Sequence, residues 1–355
     1  MIDETLAKRV IFTPYETHPW NHFSTTTVSY LIDFFDRTLG TPSTSKDNDS
    51  QIWPLKTLFN ALGLIGLAIF IVSFSKYLLS FTYFSPLKTK ETVTMLPKPS
   101  KREYAWFWLS SFTLVGLSYW GYVTMYGWSS SIQPSWLLQS PVFFIGIWSA
   151  FMGLMTIIML GISSLFFPKF DIIKARGLVL KRALWIPTLL FSLYVVIAVF
   201  MLVFLADYLF QTDFRLWLIA FKAFEADKIS YALSFLPLFL LFYIPNSIAI
   251  NVFNHFKMTR FKAVNIAVLS LFNGLSMLVL VILNYMIFFS TGEQSLIGGV
   301  SILGIWAIPM VIILPLAAIL SRKLYLATNN PYLAGFISAL IVAMISSSNT
   351  LTTLN

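Results

Sequence analysis

The chain has 355 residues, 57% of them hydrophobic and 11% charged, with 24 Lys and Arg against 15 Asp and Glu and a formal net charge of +9. Soluble domains usually carry about 25% charged residues, so a soluble fold would leave much of this apolar surface in water, whereas a bilayer removes the conflict. The absence of cysteine excludes disulfides, thiolate metal sites and a cysteine nucleophile.

Three histidines, His18, His22 and His255, are too few and too scattered for a metal cluster, and no cofactor is implied: the glycines from Gly116 to Gly121 lack the spacing of a phosphate-binding loop. The basic residues lie between apolar segments, a placement that fits orientation in a membrane and not nucleic-acid binding.

Residues 1–40 differ in kind from the rest. Lys8-Arg9-Val10-Ile11-Phe12 reads as a short strand, and Ser24 to Leu39 as a helix. Ser24 or a neighbouring threonine caps it, Val28, Leu31, Ile32, Phe34 and Phe35 form its apolar face, and Gly40 and Pro42 end it. One strand and one helix cannot bury a core by themselves. Residues 41–56, with the run Thr41-Pro42-Ser43-Thr44-Ser45, have linker composition.

From residue 57 to 355 the chain is a membrane domain. On the scale of roughly 20 apolar residues per span, helices are expected at 58–82, 104–126, 141–166, 183–209, 229–250, 264–290, 298–321 and 331–353. The fold class expected is therefore an all-α polytopic membrane protein of about eight transmembrane helices behind a short strand-loop-helix. Placing the N-terminus outside puts sixteen of the twenty-four basic residues on the cytoplasmic side, among them Lys88, Lys98, Arg102, Lys174, Arg176, Lys257, Arg260, Arg322 and Lys323. The external loops 127–140 and 291–297 hold none, so both termini are expected to be extracytoplasmic, in a multi-pass protein of the cell membrane.

The external stretch 211–228 carries Arg215, Lys222 and Lys228 with Phe214, Trp217, Leu218, Phe221 and Phe224 at roughly helical spacing. It reads either as an amphipathic helix in the outer interface or as a loop packed on the bundle. Ionisable residues are expected only near span ends, Lys76 at the inner end of the first and Asp207 at the outer end of the fourth, which argues against ion-coupled transport. His255, with Lys257 and Arg260, reads as a solvated or headgroup-facing residue of a basic loop. Asn246, Asn273, Asn284 and Asn349 serve as packing glue or line a polar cavity near Pro245, while Pro187, Pro237, Pro309 and Pro315 kink their helices.

The strand Arg9-Val10-Ile11-Phe12, the loop Thr17-His18-Pro19-Trp20-Asn21-His22-Phe23-Ser24 and the helix containing Tyr30-Leu31-Ile32-Asp33-Phe34-Phe35 resemble the C-terminal edge of an α/β-hydrolase domain. The whole chain looks like the C-terminal part of bacterial membrane-anchored α/β-hydrolases, in which a hydrolase domain precedes a multi-span membrane domain. The resemblance implies that His18, the histidine nearest the strand, matches the catalytic base, with His22 as second choice. The pattern departs from the family upstream, where a G-x-S-x-G elbow and a triad acid are expected. The residues before His18 include neither Ser nor Gly.

As given, the chain does not carry a complete hydrolase site. It is expected to be either a fragment whose hydrolase body is encoded upstream or a remnant reused as an external cap. The implied function is the membrane portion of an extracytoplasmic ester or acyl-transfer hydrolase, with the lipid bilayer and an upstream hydrolase domain as partners. The alternative is a small-molecule or lipid transporter.

Overall fold

The computed structural model describes residues 11–43, 46–292 and 302–352, with only the backbone of His18, Pro19 and residues 302–305. Among the described residues there are eleven α-helices, two π-helical turns, two short 3-10 turns (Ser85–Leu87 and Arg182–Leu184) and one two-stranded hairpin. In chain order the helices are α1 (His18–Asn21), α2 (Thr25–Leu39), α3 (Trp53–Leu78), α4 (Lys101–Ile132), α5 (Ser140–Phe166), α6 (Phe170–Ile173), α7 (Trp185–Phe210), α8 (Asp227–Ile248), α9 (Ala263–Thr291), α10 (Ile302–Thr328) and α11 (Pro331–Asn349).

Among the described residues, seven helical segments, carrying α3, α5 and α7 to α11, are long and apolar enough to cross a membrane, so the protein is a helical, multi-pass membrane fold. Eight spans were expected. Helix α4 has the length, 32 residues or roughly 48 Å at 1.5 Å per residue. Its Ser110, Ser111, Ser118, Tyr119, Tyr122 and Thr124 make it less apolar than the rest.

The caps follow the sequence. Ser24 accepts from the Thr27 amide at 3.0 Å to start α2, and Gly40, at φ 87°, ends it. Ser100 and Glu103 form a reciprocal capping box on α4. Asn330 accepts from the amides of Tyr332 and Leu333 at the head of α11 and donates to Thr188 of α7 at 2.9 Å, joining the two helices.

Helix α11 is the most enclosed of the candidate spans, held between α7, α8 and α10. Its Ala334, Gly335, Ala339 and Ala343 let neighbouring backbones approach: a Cβ added at Gly335 would lie 2.9 Å from Ile244 Cα of α8. Its polar tail is held in part from within the protein, the Ser347 hydroxyl being buried without a partner among the described residues. Asn349 donates to the Ala220 carbonyl at 2.8 Å, and the fully buried Gln139 donates to the carbonyls of Ser347 and Thr350 and to the Thr352 hydroxyl, each at 3.0 Å.

Prolines and glycines are matched across the helix seams. Pro245 has no N–H, so it frees the Leu241 carbonyl one turn earlier, and that oxygen lies where a Cβ on Gly153 of α5 would stand. Pro315 frees the Val311 carbonyl in the same way, and that oxygen lies 3.3 Å from the Cβ position of Gly274 on α9. Each freed carbonyl therefore faces a neighbour with no side chain. Pro187 falls in the first turn of α7, where a proline breaks no helical hydrogen bond.

The segment 211–228 is not an amphipathic helix. Phe214–Leu216 and Ile219–Phe221 pair as an antiparallel hairpin, with Phe214 opposite Phe221. Phe214, Phe221 and Phe224 turn inward onto a core of α3, α7 and α11 residues. The Phe214 ring lies against Gly63 of α3, where a Cβ would collide with it. Inward packing of these rings outweighs the 3.6-residue spacing.

The helix ends gather on two faces. On one, Leu96 donates to the His255 carbonyl at 2.8 Å, Thr89 to Ala327 at 3.0 Å and Asn329 to Ala175 at 3.0 Å, which brings together the segments following α3, α5, α8 and α10. On the other, Lys228 donates to the Thr350 carbonyl at 3.1 Å and Thr212 to Asn60 Oδ1 at 3.2 Å.

Candidate functional site

On the hairpin face, the His-bearing segment closes a cleft of about 510 Å³ between the first turns of α3 and the last turn of α7. The described lining includes His22, Lys56, Asn60, Asp207, Asp213 and Trp217. Helix α1 gathers the expected catalytic loop into one turn that opens at His18. The His18 side chain lies outside the described residues. The expected strand lies mostly outside them as well, and Ile11 and Phe12 are not in a strand. His22 is exposed, and its ring centroid is 6.3 Å from that of Trp217.

Beside α1, Glu16 anchors the start of α2, accepting from Thr27 Oγ1 at 2.7 Å and from the Ser24 hydroxyl. Both Glu16 carboxylate oxygens are thereby engaged in this cap.

The charges of the cleft sort into two sets. Asp213 accepts from Arg215 Nε at 2.8 and 2.9 Å, a pair that neutralises itself and holds the Arg215 guanidinium above its ordinary pKa. Lys56 and Asp207 are left, of opposite sign. Among the described residues the ion pairs are Arg37–Asp33, Lys169–Glu103 and Arg215–Asp213, so neither Lys56 nor Asp207 has an ionic partner. Trp217 sits at the first position of the two-residue hairpin loop with φ 52°. Glycine normally takes this left-handed position, and a bulky residue held there costs about 1–3 kcal/mol.

On the opposite face lies a buried polar node built from residues that the sequence places on the cytoplasmic side, with His255 expected to be solvated or headgroup-facing. Arg176, His255 and Arg322 are only 8%, 4% and 5% exposed. Arg322 donates from Nε to Asn251 Oδ1 at 2.9 Å, from Nη1 to Asn265 Oδ1 at 3.0 Å and from Nη2 to the Ile250 carbonyl at 2.6 Å. Arg176 donates to the carbonyls of Val252, Thr94 and Asn251 at 3.2, 2.8 and 2.8 Å, and its Nη2 also meets His255 Nδ1 at 2.8 Å. Tyr325 closes the node with a hydrogen bond to the Arg176 carbonyl at 3.0 Å.

The acceptors follow from the local fold. The π-turn Ala249–Phe253 that ends α8 presents the carbonyls of Ile250, Asn251 and Val252 to the two guanidinium groups. Burial, then the charges of Arg322 and Arg176, push the His255 imidazole down to a pKa of about 3. A neutral ring with its Nδ1 lone pair toward Arg176 satisfies both.

A third feature lies within the bundle. A cavity of about 90 Å³ between α4, α5, α8, α9 and α10 is lined by Ser111, Ser118, Asn246, Asn254, Asn273 and Ser276, with apolar neighbours. Asn273 donates to the Leu314 carbonyl at 3.3 Å, and Ser118 and Ser276 share a hydrogen bond. The Asn246 side chain has no hydrogen-bond partner among the described residues. Asn349 is spent on the hairpin and is not part of this cavity.

The chain matches no family model, and neither the curated proteins nor the solved structures contain a match to it.

Proposed function

We propose that the chain is the membrane-embedded C-terminal portion of an extracytoplasmic α/β-hydrolase of ester or acyl-transfer type. In this reading α4 is the eighth span, the hairpin face is extracytoplasmic and the arginine node is cytoplasmic, in the cell membrane. The observation that carries it is helix α2. Its apolar residues Leu31, Phe34, Phe35 and Leu39 are 53%, 44%, 48% and 80% exposed, and none of its residues is buried. An amphipathic helix with a bare apolar stripe needs a partner layer, and the final helix of a hydrolase packs on the sheet of its own domain. The histidine turn precedes that helix, as the family order requires. His18, or His22 in its place, would take the proton of a serine supplied by the hydrolase body and return it to the leaving group.

The test is reconstitution. The coding sequence upstream is read for a body with a G-x-S-x-G elbow, and that body is co-expressed with this chain, in cis or in trans. Ester hydrolysis that requires both parts, falls at least 10³-fold in His18→Ala and survives in His22→Ala is the expected result. Absence of such a body, or hydrolysis indifferent to both histidines, overturns the reading.

A second reading, a small-molecule or lipid transporter, is favoured by one observation: Asn246 lines the polar cavity without a hydrogen-bond partner among the described residues. The cavity, at about 90 Å³, is roomy and polar enough to admit water. Uptake into vesicles that is abolished by Asn246→Leu together with Asn273→Leu would support it. Unchanged uptake would remove it.

A further inference from the structure

We propose that the cleft between α1, α3, α7 and the hairpin binds a small zwitterion, a group carrying an ammonium and a phosphate or carboxylate together. The inference rests on the cleft alone and stands whether or not the chain serves a hydrolase.

The cleft's about 510 Å³ is within the range of small-molecule sites. The electrostatics select the ligand. Asp213 and Arg215 cancel one another, leaving Lys56 and Asp207, among the described residues, as charges of opposite sign without an ionic partner in one cavity. An anion alone would meet Asp207, and a cation alone would meet Lys56; a ligand carrying both charges satisfies each. Lys56 lies in the first turn of α3 and Asp207 in the last turn of α7, so the site is at the level where a spanning helix meets the headgroup layer.

The aromatic wall is an independent observation. Trp217 occupies a backbone position where glycine would be relaxed, and the strain places its indole in the cleft wall near His22. Strain of this kind persists where the surroundings over-determine it, and it clusters at ligand sites. Trp53 lines the same cavity, and an indole face attracts an ammonium group.

Such a zwitterion has two sources, a free solute or the headgroup of a membrane lipid, and the experiment separates them. The full chain in detergent is titrated with water-soluble glycerophosphoethanolamine by calorimetry. In parallel it is offered phosphatidylethanolamine against phosphatidylglycerol, and retained lipid is read by native mass spectrometry. Binding of the soluble headgroup identifies a free-solute site. Retention of phosphatidylethanolamine alone identifies a lipid site. Either supports the zwitterion.

Asp207→Asn should then weaken binding at least 10-fold and abolish any preference over phosphatidylglycerol. Trp217→Gly should lower affinity at least 10-fold while the melting temperature holds or rises, a split that misfolding cannot produce. Binding of neither probe, equal retention of both lipids by the wild type, or full affinity in Asp207→Asn and Trp217→Gly overturns the proposal.

Discussion

The side-chain oxygen of Asn251 accepts from Arg322 Nε at 2.9 Å while the main-chain carbonyl of the same residue accepts from Arg176 Nη2 at 2.8 Å. One asparagine thus links two buried cations from separate parts of the chain. Its amide also donates to Ser321 at 2.7 Å, and Ser321 shares a hydrogen bond with Ser247 of α8. Replacing Asn251 by Leu leaves the Arg322 Nε–H and the Ser321 hydroxyl without this partner. The expected cost is about 3 kcal/mol, from a lost hydrogen bond to a charged group and the desolvation left behind. A thermal melt of the purified protein in detergent should show a marked fall in Tm; a change below 1 °C would mean that the node bears no stability.

Lysine should not rescue Arg322. The guanidinium sends three donors to three acceptors spread over Asn251, Asn265 and Ile250, and an ammonium on a flexible stem cannot reproduce that planar fork. Arg322→Lys is expected to melt much closer to Arg322→Met than to the wild type. A melt within 1–2 °C of the wild type would show that charge, not geometry, is what the node requires.

His255 makes stability depend on pH. Its folded pKa of about 3 lies below the ordinary 6.5, so between these values the unfolded chain binds the extra proton. The contribution is fully present above about pH 6.5 and is lost progressively as pH falls toward 3. Tm should therefore decline from pH 7 to pH 5. His255→Asn, which keeps an acceptor near the Nδ1 position without a titrating ring, should decline less over the same interval. Identical slopes would show that His255 is not the group responsible.

Most of the helices were legible in the sequence because length and hydropathy alone define them, and the expected and observed spans differ by at most seven residues at any end. The arginine node was not legible, for a reason visible at α10. The apolar run stops near Ser321, so by hydropathy Arg322 falls just beyond the expected span, on the cytoplasmic side. The structural stop signal lies eight residues later, at Asn329-Asn330-Pro331, where Asn330 caps α11. Helix α10 continues to Thr328 and carries Arg322 into the protein. Charge counting assigns a residue to a side of the membrane; it does not report whether that residue faces water. Arg176 and His255 escape the same count: the acceptors of Arg176 are main-chain carbonyls, and the partners of His255 are the Arg176 guanidinium and the Leu96 amide, all from segments more than seventy residues away. Of the cleft on the hairpin face, the sequence singles out His22 as a site candidate and Asp207 as a charge at a span end. Bringing Lys56, Asp207 and Trp217 to one cavity required the tertiary fold.

The glycines of α5 test the matching of prolines to small residues. A Cβ at Gly153 would overlap the Leu241 carbonyl of α8, which Pro245 leaves without a helical donor, and backbone on both sides leaves little room to shift. Gly161, two turns along the same helix, has nothing within 4 Å of its Cβ position. Gly161→Ala should therefore be neutral or slightly stabilising, since alanine is the better helix former by roughly 1 kcal/mol. Gly153→Ala carries the same propensity gain but must push α5 from α8, and should be destabilising by about 1–3 kcal/mol. The comparison holds helix and substitution fixed, so a difference in Tm reports the seam itself. If Pro245→Ala is added to Gly153→Ala, the Leu241 carbonyl regains an N–H donor and can turn back along its own helix, and part of the lost Tm should return. Failure of that rescue, with Gly153→Ala still destabilising, would mean that bulk alone and not the freed carbonyl sets the close approach of α5 and α8.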